Sequence, residues 1–269
     1  MAGPELRDME RAEENERGYF ALLAETPPTE GAAVLLNPTC PALLINRAMC
    51  VHLSDHSLEW DLARIERPFQ EQRLYPSFYL TPTARPANLR AALLKRGYHV
   101  EYRQTVMAYR GLDRGYSAGA VGPADPAGLE IVTTTGPATY QAWCQTFLLG
   151  FDVPRELRAV MYEMNLRSLR HPQVTGLLGL LDGRPVATTC LYMHGDTAGL
   201  YAVSTIPRAR RRGVAAALVR RALQLGANQG AQMGVLQTAN GGDAERLYRS
   251  LGFQDLFVAE VLTHYGLVR

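Results

Sequence analysis

The stretch PRARRRGVAAALV, residues 207–219, sets four arginines beside a glycine and then turns apolar. A strand-like segment, GLYAVSTI, ends at Pro207; a loop follows, and helical spacing starts near Gly213 and Val214. Backbone N–H groups at a helix start have no intrahelical partner, and the helix dipole adds partial positive charge there. Gly213 permits a tight turn and the close approach of another group. Ala215, Ala216 and Ala217 keep the first turn uncluttered. A strand–loop–helix junction of this kind suits a phosphate or diphosphate, with the arginines adding charge at the rim. It is neither a G-x-x-x-x-G-K-S/T loop nor a G-x-G-x-x-G loop. From the loop alone two further readings stay open, a solvated charge run capping a core helix and a nucleic-acid patch. The second lacks a supporting basic cluster with interleaved aromatics.

The rest of the composition narrows those readings. The 269 residues are 47% hydrophobic and 20% charged, with a net charge of only +2. That balance belongs to a folded protein and lacks the electrostatic footprint of a dedicated nucleic-acid binder. Nearly all the positive charge is arginine, Lys95 being the one lysine. Cys40, Cys50, Cys144 and Cys190 show no C-x-x-C spacing and no histidine arrangement suited to a metal, so no metal cofactor is expected. Cysteines this sparse suggest free thiols in a reducing compartment. The charged N-terminal segment MAGPELRDMERAEENERG has no apolar h-region, and no run approaches eighteen apolar residues. The expectation is a cytoplasmic protein with neither a nucleic-acid nor a membrane partner.

Elements must position the loop, and the pattern supplies them on both sides of a seam. GLDRGYSAGAVGPADPAG, residues 111–128, is Gly, Ala, Ser, Asp and Pro-rich without periodicity, which reads as a linker over 113–127. It divides an N-terminal domain, 1–112, from a C-terminal domain, 128–269. Before the seam the pattern predicts helices over 4–24, 57–74 (with a kink or break at Pro68) and 87–97. Strands are expected at PSFYLTP and YHVEYRQTVMAYR. After the seam come a strand LEIVTT, helices TYQAWCQTFLLG and PRELRAVMYEMNLRSL, and a three-stranded meander turning at DGRP and HGDT. The next helix presents Val214, Leu218, Arg221 and Leu225 on one face, with Arg221 at its border. A strand AQMGVLQT, a helix DAERLYRSL and a final strand GFQDLFVAEVLTHY close the chain. This order predicts an α/β (α+β) class, with helices packed on both faces of a mixed sheet.

The two halves also end alike. LRAALLKRGYHVEYRQTVMAYRGL (89–112) lies over AERLYRSLGFQDLFVAEVLTHYGL (244–267), matching Gly97 to Gly252, Tyr98 to Phe253, Val106 to Val261 and Leu93 to Tyr248. The pattern reads as a duplication in which the N-terminal copy lacks an arginine–glycine loop.

RRRGVA (210–215) matches R/Q-x-x-G-x-G/A, and AERLYRSLGF (244–253) matches a helix reading A-x-x-x-Y-x-x-x-G-F. In this order and separation the chain resembles the GCN5-related N-acetyltransferases, or GNATs, over about residues 128–265, with a degenerate GNAT-like unit before the seam. The resemblance implies two GNAT-like units in tandem, and an acyltransferase using acetyl-CoA as cosubstrate. Amides of Arg211, Arg212, Gly213, Val214, Ala215 and Ala216 would hold the pyrophosphate. Backbone groups of Val203, Ser204 and Thr205 would pair with the pantetheine arm between two splayed strands. Tyr248 would be the general acid protonating the departing thiolate, a role Leu93 in the other half has no proton to fill. An amine of a small molecule or peptide would attack the thioester directly.

Two departures accompany the resemblance. The family often has Asn seven residues before the tyrosine; here that position is Gly241, with Asn240 beside it as substitute. The central strand, TAGLYAVST, lacks the carboxylate many members use as base, leaving Asp152, Glu163 and His194 as candidates beside a water chain. Trp143, Phe147, Phe151 and Tyr162 stand where an acceptor pocket would form, and are equally consistent with core. The N-terminal half walls that pocket, mediates a homodimer or only stabilises. Against the enzyme reading stand a CoA-binding regulatory or scaffold protein without turnover, and a nucleic-acid-associated protein.

Overall fold

A computed structural model describes residues 3–116 and 124–267. Residues 117–123 of the expected linker lie outside the described residues. The chain forms two compact units. Unit 1 comprises residues 1–106, 238–241 and 255–269, and unit 2 residues 107–237 and 242–254. The last strand region thus groups with the N-terminal residues.

Unit 1 holds α1 (Pro4–Ala21), β1 (Ala33–Leu35), β2 (Arg47–Met49), α2 (Leu58–Glu71), β3 (Ser77–Leu80), α3 (Leu89–Lys95), most of β4 (His99–Arg110) and most of β10 (Gln254–Thr263). Its strand order is β1-β2-β3-β10-β4. β1 and β2 are antiparallel, β2 and β3 parallel across α2, and β3 and β10 antiparallel. Leu58, Leu62, Ile65 and Phe69 recur at three- and four-residue spacing on α2 and enter a core with Phe78, Leu89, Leu93 and Tyr98. That burial explains a difference from the expected break, because α2 runs on past Pro68 to Glu71. Pro68 removes one helix hydrogen bond, but Ile65 and Phe69 anchor the turns on both sides.

Beyond β2 and β3 the two chains stay joined. Arg85 N donates to Val51 O at 2.8 Å and Leu53 N to Arg85 O at 3.1 Å. The first turn of α2 carries Glu59 and Asp61. Unit 1 also buries an ion pair, with Arg47 Nη2 at 2.6 Å from Glu16 Oε1 and both side chains essentially inaccessible. Tyr79 donates to the other Glu16 oxygen at 2.8 Å, and the guanidinium lies over the Phe20 and Tyr79 rings.

Unit 2 holds β5 (Leu129–Thr133), α4 (Pro137–Gly150), α5 (Arg158–Leu169), β6 (Val174–Leu181), β7 (Arg184–His194), β8 (Thr197–Thr205), α6 (Val214–Asn228), most of β9 (Met233–Ala239) and α7 (Asp243–Ser250). Its strand order is β4-β9-β8-β7-β6-β5. The meander turns where expected, Asp182 and Gly183 both taking positive φ between β6 and β7. Side chains alternate across the sheet. Gly176 on β6 faces Leu169 of α5, whereas Gly179, three residues on, faces Leu218 of α6. Helices therefore cover both faces, the mixed α/β layering the sequence predicts.

α6 is buried around most of its circumference. The arginine it buries is Arg220, 4% exposed and paired with Asp125 at 2.5 Å; Arg221 is exposed. The expected face holds, with Val214 and Leu218 buried, Leu225 half-buried and Arg221 exposed at its border; the enclosed Arg220 was not expected. All four cysteines are free thiols, three of them buried.

Candidate active site

The parallel pair β8–β9 matches Thr197, Ala198 and Gly199 with Met233, Gly234 and Val235, and its pairing stops there. Both strands run on, β8 to Thr205 and β9 to Ala239. Past Gly199 and Val235 the sheet therefore forks. On its outer side β8 stays bonded to β7, where Thr188 faces Ser204 and Ala187 faces Thr205. A bulge between Thr188 and Cys190 accompanies φ +54 at Ala202 on β8. A bulge shifts side-chain alternation and bends its strand, which turns the end of β8 away from β9. Val203, Ser204 and Thr205 lie on this diverging end.

The chain then passes through a short 3-10 turn, Pro207–Ala209, into the arginine loop. Arg211 (φ +59) and Gly213 (φ +81) take left-handed conformations. Gly213 is the N-cap of α6, a position that strains any residue with a Cβ. No side chain caps that helix start and no acidic residue occupies its first turn. Arg211, Arg212 and Gly213 are exposed, Val214 and Ala216 buried, and Ala215 half-buried. Arg210 is an internal strut rather than a free rim charge. Its Nε donates to Thr205 O and its Nη2 to Gly150 O, both at 3.0 Å.

Gly150, the last residue of α4, packs so closely on β8 that a Cβ there would collide with Ser204 Oγ. Leading to it, Trp143, Phe147 and Phe151 form a ladder at four-residue spacing, with centroid separations of 5.5 and 4.8 Å. Trp143 is fully buried and donates through Nε1 to Thr189 O at the bulge, so it is core. Phe151, half exposed, is where the ladder meets solvent.

Tyr248 lies on α7 in a cluster with Leu236 of β9, Ala216 and Val219 of α6, and Phe253. Its ring meets Phe253 edge-on at 5.9 Å. Burial pushes its phenol up to about 12, so the hydroxyl holds its proton through the physiological range. Asn240 belongs with unit 1, donating through Nδ2 to Thr105 Oγ1 at 2.9 Å and from its backbone N to Arg103 O.

Of the base candidates, Glu163 is exposed on α5. His194 pairs with Thr197 on the closed side of the fork, four residues and roughly 13 Å behind Tyr201. Asp152 is exposed and follows the α4 terminus that touches β8.

Two side-chain groups on the diverging strands were given no role in the sequence, where Gln237 was passed over and Thr205 was named only for its backbone. Gln237 Nε2 on β9 and Thr205 Oγ1 on β8 are buried polar atoms without a hydrogen-bond partner. Their signal was local: polar residues at the ends of strands whose earlier positions are apolar. Among the described residues no group of three His, Cys, Asp or Glu is arranged to hold a metal, and no helix is long and apolar enough to cross a membrane.

Residues 137–253 match the model of the acetyltransferase (GNAT) family, whose members transfer acetyl groups from acetyl-CoA to amines. The likeness in fold extends along the whole chain. A GCN5-related N-acetyltransferase from Kribbella flavida aligns at 20% identity over 96% of both chains with TM-score 0.71. A tandem GNAT protein from the clavulanic acid biosynthesis pathway aligns at 15% identity over 94% of both chains with TM-score 0.64. A conserved protein of unknown function from Staphylococcus epidermidis aligns at 10% identity over 90% of this chain and 94% of its own, with TM-score 0.65. Comparison with curated proteins returned no match.

Proposed function

We propose that this protein is an acetyl-CoA-dependent N-acetyltransferase acting on a primary amine of a small molecule or peptide, with residues 128–269 as the catalytic half and 1–112 as its degenerate copy. The observation that carries this reading is the fork between β8 and β9, which leads to a glycine-capped helix start bordered by exposed arginines. The orphaned polar atoms of Gln237 and Thr205 on the two banks fit a ligand with polar groups along its length. A buried polar atom left unpaired costs about 1–3 kcal/mol, and a bound partner would recover it.

In this reading the N–H groups of Arg211, Arg212, Gly213, Val214, Ala215 and Ala216 hold the pyrophosphate, with Arg211 and Arg212 adding charge. Backbone groups of Val203, Ser204 and Thr205 bond the pantetheine arm. Acetyl-CoA supplies the activated acyl group. The amine nitrogen forms a bond to the carbonyl carbon, and the C–S bond breaks. Tyr248 gives its proton to the sulfur and is reprotonated from solvent, which takes the proton the amine loses. With its phenol near 12 and a free thiol near ~8.5, Tyr248 is a weak donor before the sulfur is charged. It transfers as C–S cleavage builds negative charge beside it.

A second reading, a CoA-binding regulatory protein without turnover, is favoured by β8 having no carboxylate. Acetyl-CoA offered with diverse primary amines separates the two. Release of free thiol supports the enzyme; CoA-dependent thermal stabilisation with no thiol released supports the regulator.

A further inference from the structure

The fork raises a question the family likeness leaves open: what does the buried amide of Gln237 do? Continuing the β8–β9 register past Gly199 and Val235 sets Gln237 level with Tyr201, two residues or roughly 7 Å beyond the last paired position. Its neighbour Leu236 packs in the same cluster as Tyr248, on the α6 side of the sheet. Strand alternation turns Gln237 to the opposite face. Tyr248 and Gln237 therefore lie on opposite faces of β9. A thioester carbon carries its sulfur and its oxygen in one plane, pointing apart. With the sulfur turned towards Tyr248, the oxygen points towards Gln237.

The chemistry of Gln237 matches that position. Its Nε2 is a buried N–H donor with no partner, an arrangement native proteins rarely leave unless a ligand or water completes it. On the neighbouring strand β8, Thr205 Oγ1 is likewise a buried polar atom without a hydrogen-bond partner. We propose that the side-chain amide of Gln237 donates a hydrogen bond to the thioester carbonyl oxygen of bound acyl-CoA and stabilises the charge developing there as the amine attacks. The inference rests on the acyl-CoA reading above and adds to it a side-chain donor on β9. A donor aimed in advance at the atom that gains charge, in a site removed from water, acts without reorganisation during the reaction.

Binding measured without any amine tests this directly, using the full chain with acetyl-CoA and with S-ethyl-CoA, which replaces the carbonyl by methylene. The native protein is expected to prefer acetyl-CoA by about tenfold, and Gln237→Leu to reduce that preference to near unity while binding S-ethyl-CoA as before. The melting temperature of ligand-free Gln237→Leu should equal or exceed that of the native protein, because the variant removes a buried unpaired group. A preference unchanged in Gln237→Leu, equal weakening towards both ligands, or a lowered ligand-free melting temperature would overturn the inference. If the native protein binds neither ligand, the acyl-CoA reading itself fails and takes this inference with it.

Discussion

The chain builds the same strand–helix–strand–helix run twice, and the two versions diverge at the points where a ligand would enter. In unit 1 the run is β2–α2–β3–α3, and in unit 2 it is β8–α6–β9–α7. Both have a parallel strand pair joined across a helix. Both second helices end identically. Tyr98 N bonds Leu93 O at 3.0 Å and Phe253 N bonds Tyr248 O at 3.1 Å, after Gly97 (φ +95) and Gly252 (φ +90). These are glycine-terminated helix ends of the Schellman kind. The frame is shared; the openings are not. Past β2 and β3 the chains stay bonded through Arg85, whereas past Gly199 and Val235 the strands part. The first turn of α2 carries Glu59 and Asp61, which oppose an anion at that helix start, whereas that of α6 carries alanines. A buried leucine stands where the other copy has a buried tyrosine. One version stays bonded and the other parts, although their helix ends match bond for bond.

Substitutions can break this contrast one feature at a time. The largest effect is expected from Tyr248→Phe, which should lower kcat by about 10²–10⁴-fold while acetyl-CoA affinity shifts less than about twofold. Steady-state kinetics with any accepted amine checks it; undiminished kcat would make Tyr248 a core residue like Leu93. Next, Glu16→Ala leaves Arg47 buried without its counter-ion and should destabilise unit 1 by about 3–5 kcal/mol, read from its denaturant transition. Acetyl-CoA affinity of the folded variant should not change, since unit 1 contributes no anion cradle. A smaller effect tests the helix start. Ala215→Glu gives α6 the acidic second position that Glu59 holds on α2, and should weaken acetyl-CoA at least about tenfold in calorimetry with little change in melting temperature. The smallest effect is on pH. Because burial pushes the Tyr248 phenol up to about 12, the acid form persists well above neutrality. The pH profile of kcat/KM should rise as the amine loses its proton and show no alkaline fall below about pH 11.

Much of the frame was legible because it is written in local patterns. The alternation of β6 to β8, the turn at Asp182–Gly183 and the glycine endings of α3 and α7 each need only a few neighbouring residues. The helix start at Gly213 was legible for the same reason. Features set by distant packing were not. Pro68 reads as a kink or break, yet Ile65 and Phe69 hold the helix unbroken through it. A single apolar stripe on α6 pointed to Arg221 at the border, but burial on several sides made Arg220 the enclosed arginine. Arg210 reads as one more rim charge, and only the approach of α4 to β8 makes it a strut. The fork depends on where pairing between β8 and β9 stops, which spacing along one strand cannot express; it was expected only through the family resemblance. Gln237 was missed with it.

The most direct test of the contrast is the stoichiometry of acetyl-CoA binding to the full chain by isothermal titration calorimetry. One molecule per chain is expected, lost or strongly weakened in Ala215→Glu. Two molecules per chain, or one whose affinity ignores Ala215→Glu, would contradict the assignment of the acyl-CoA site to unit 2.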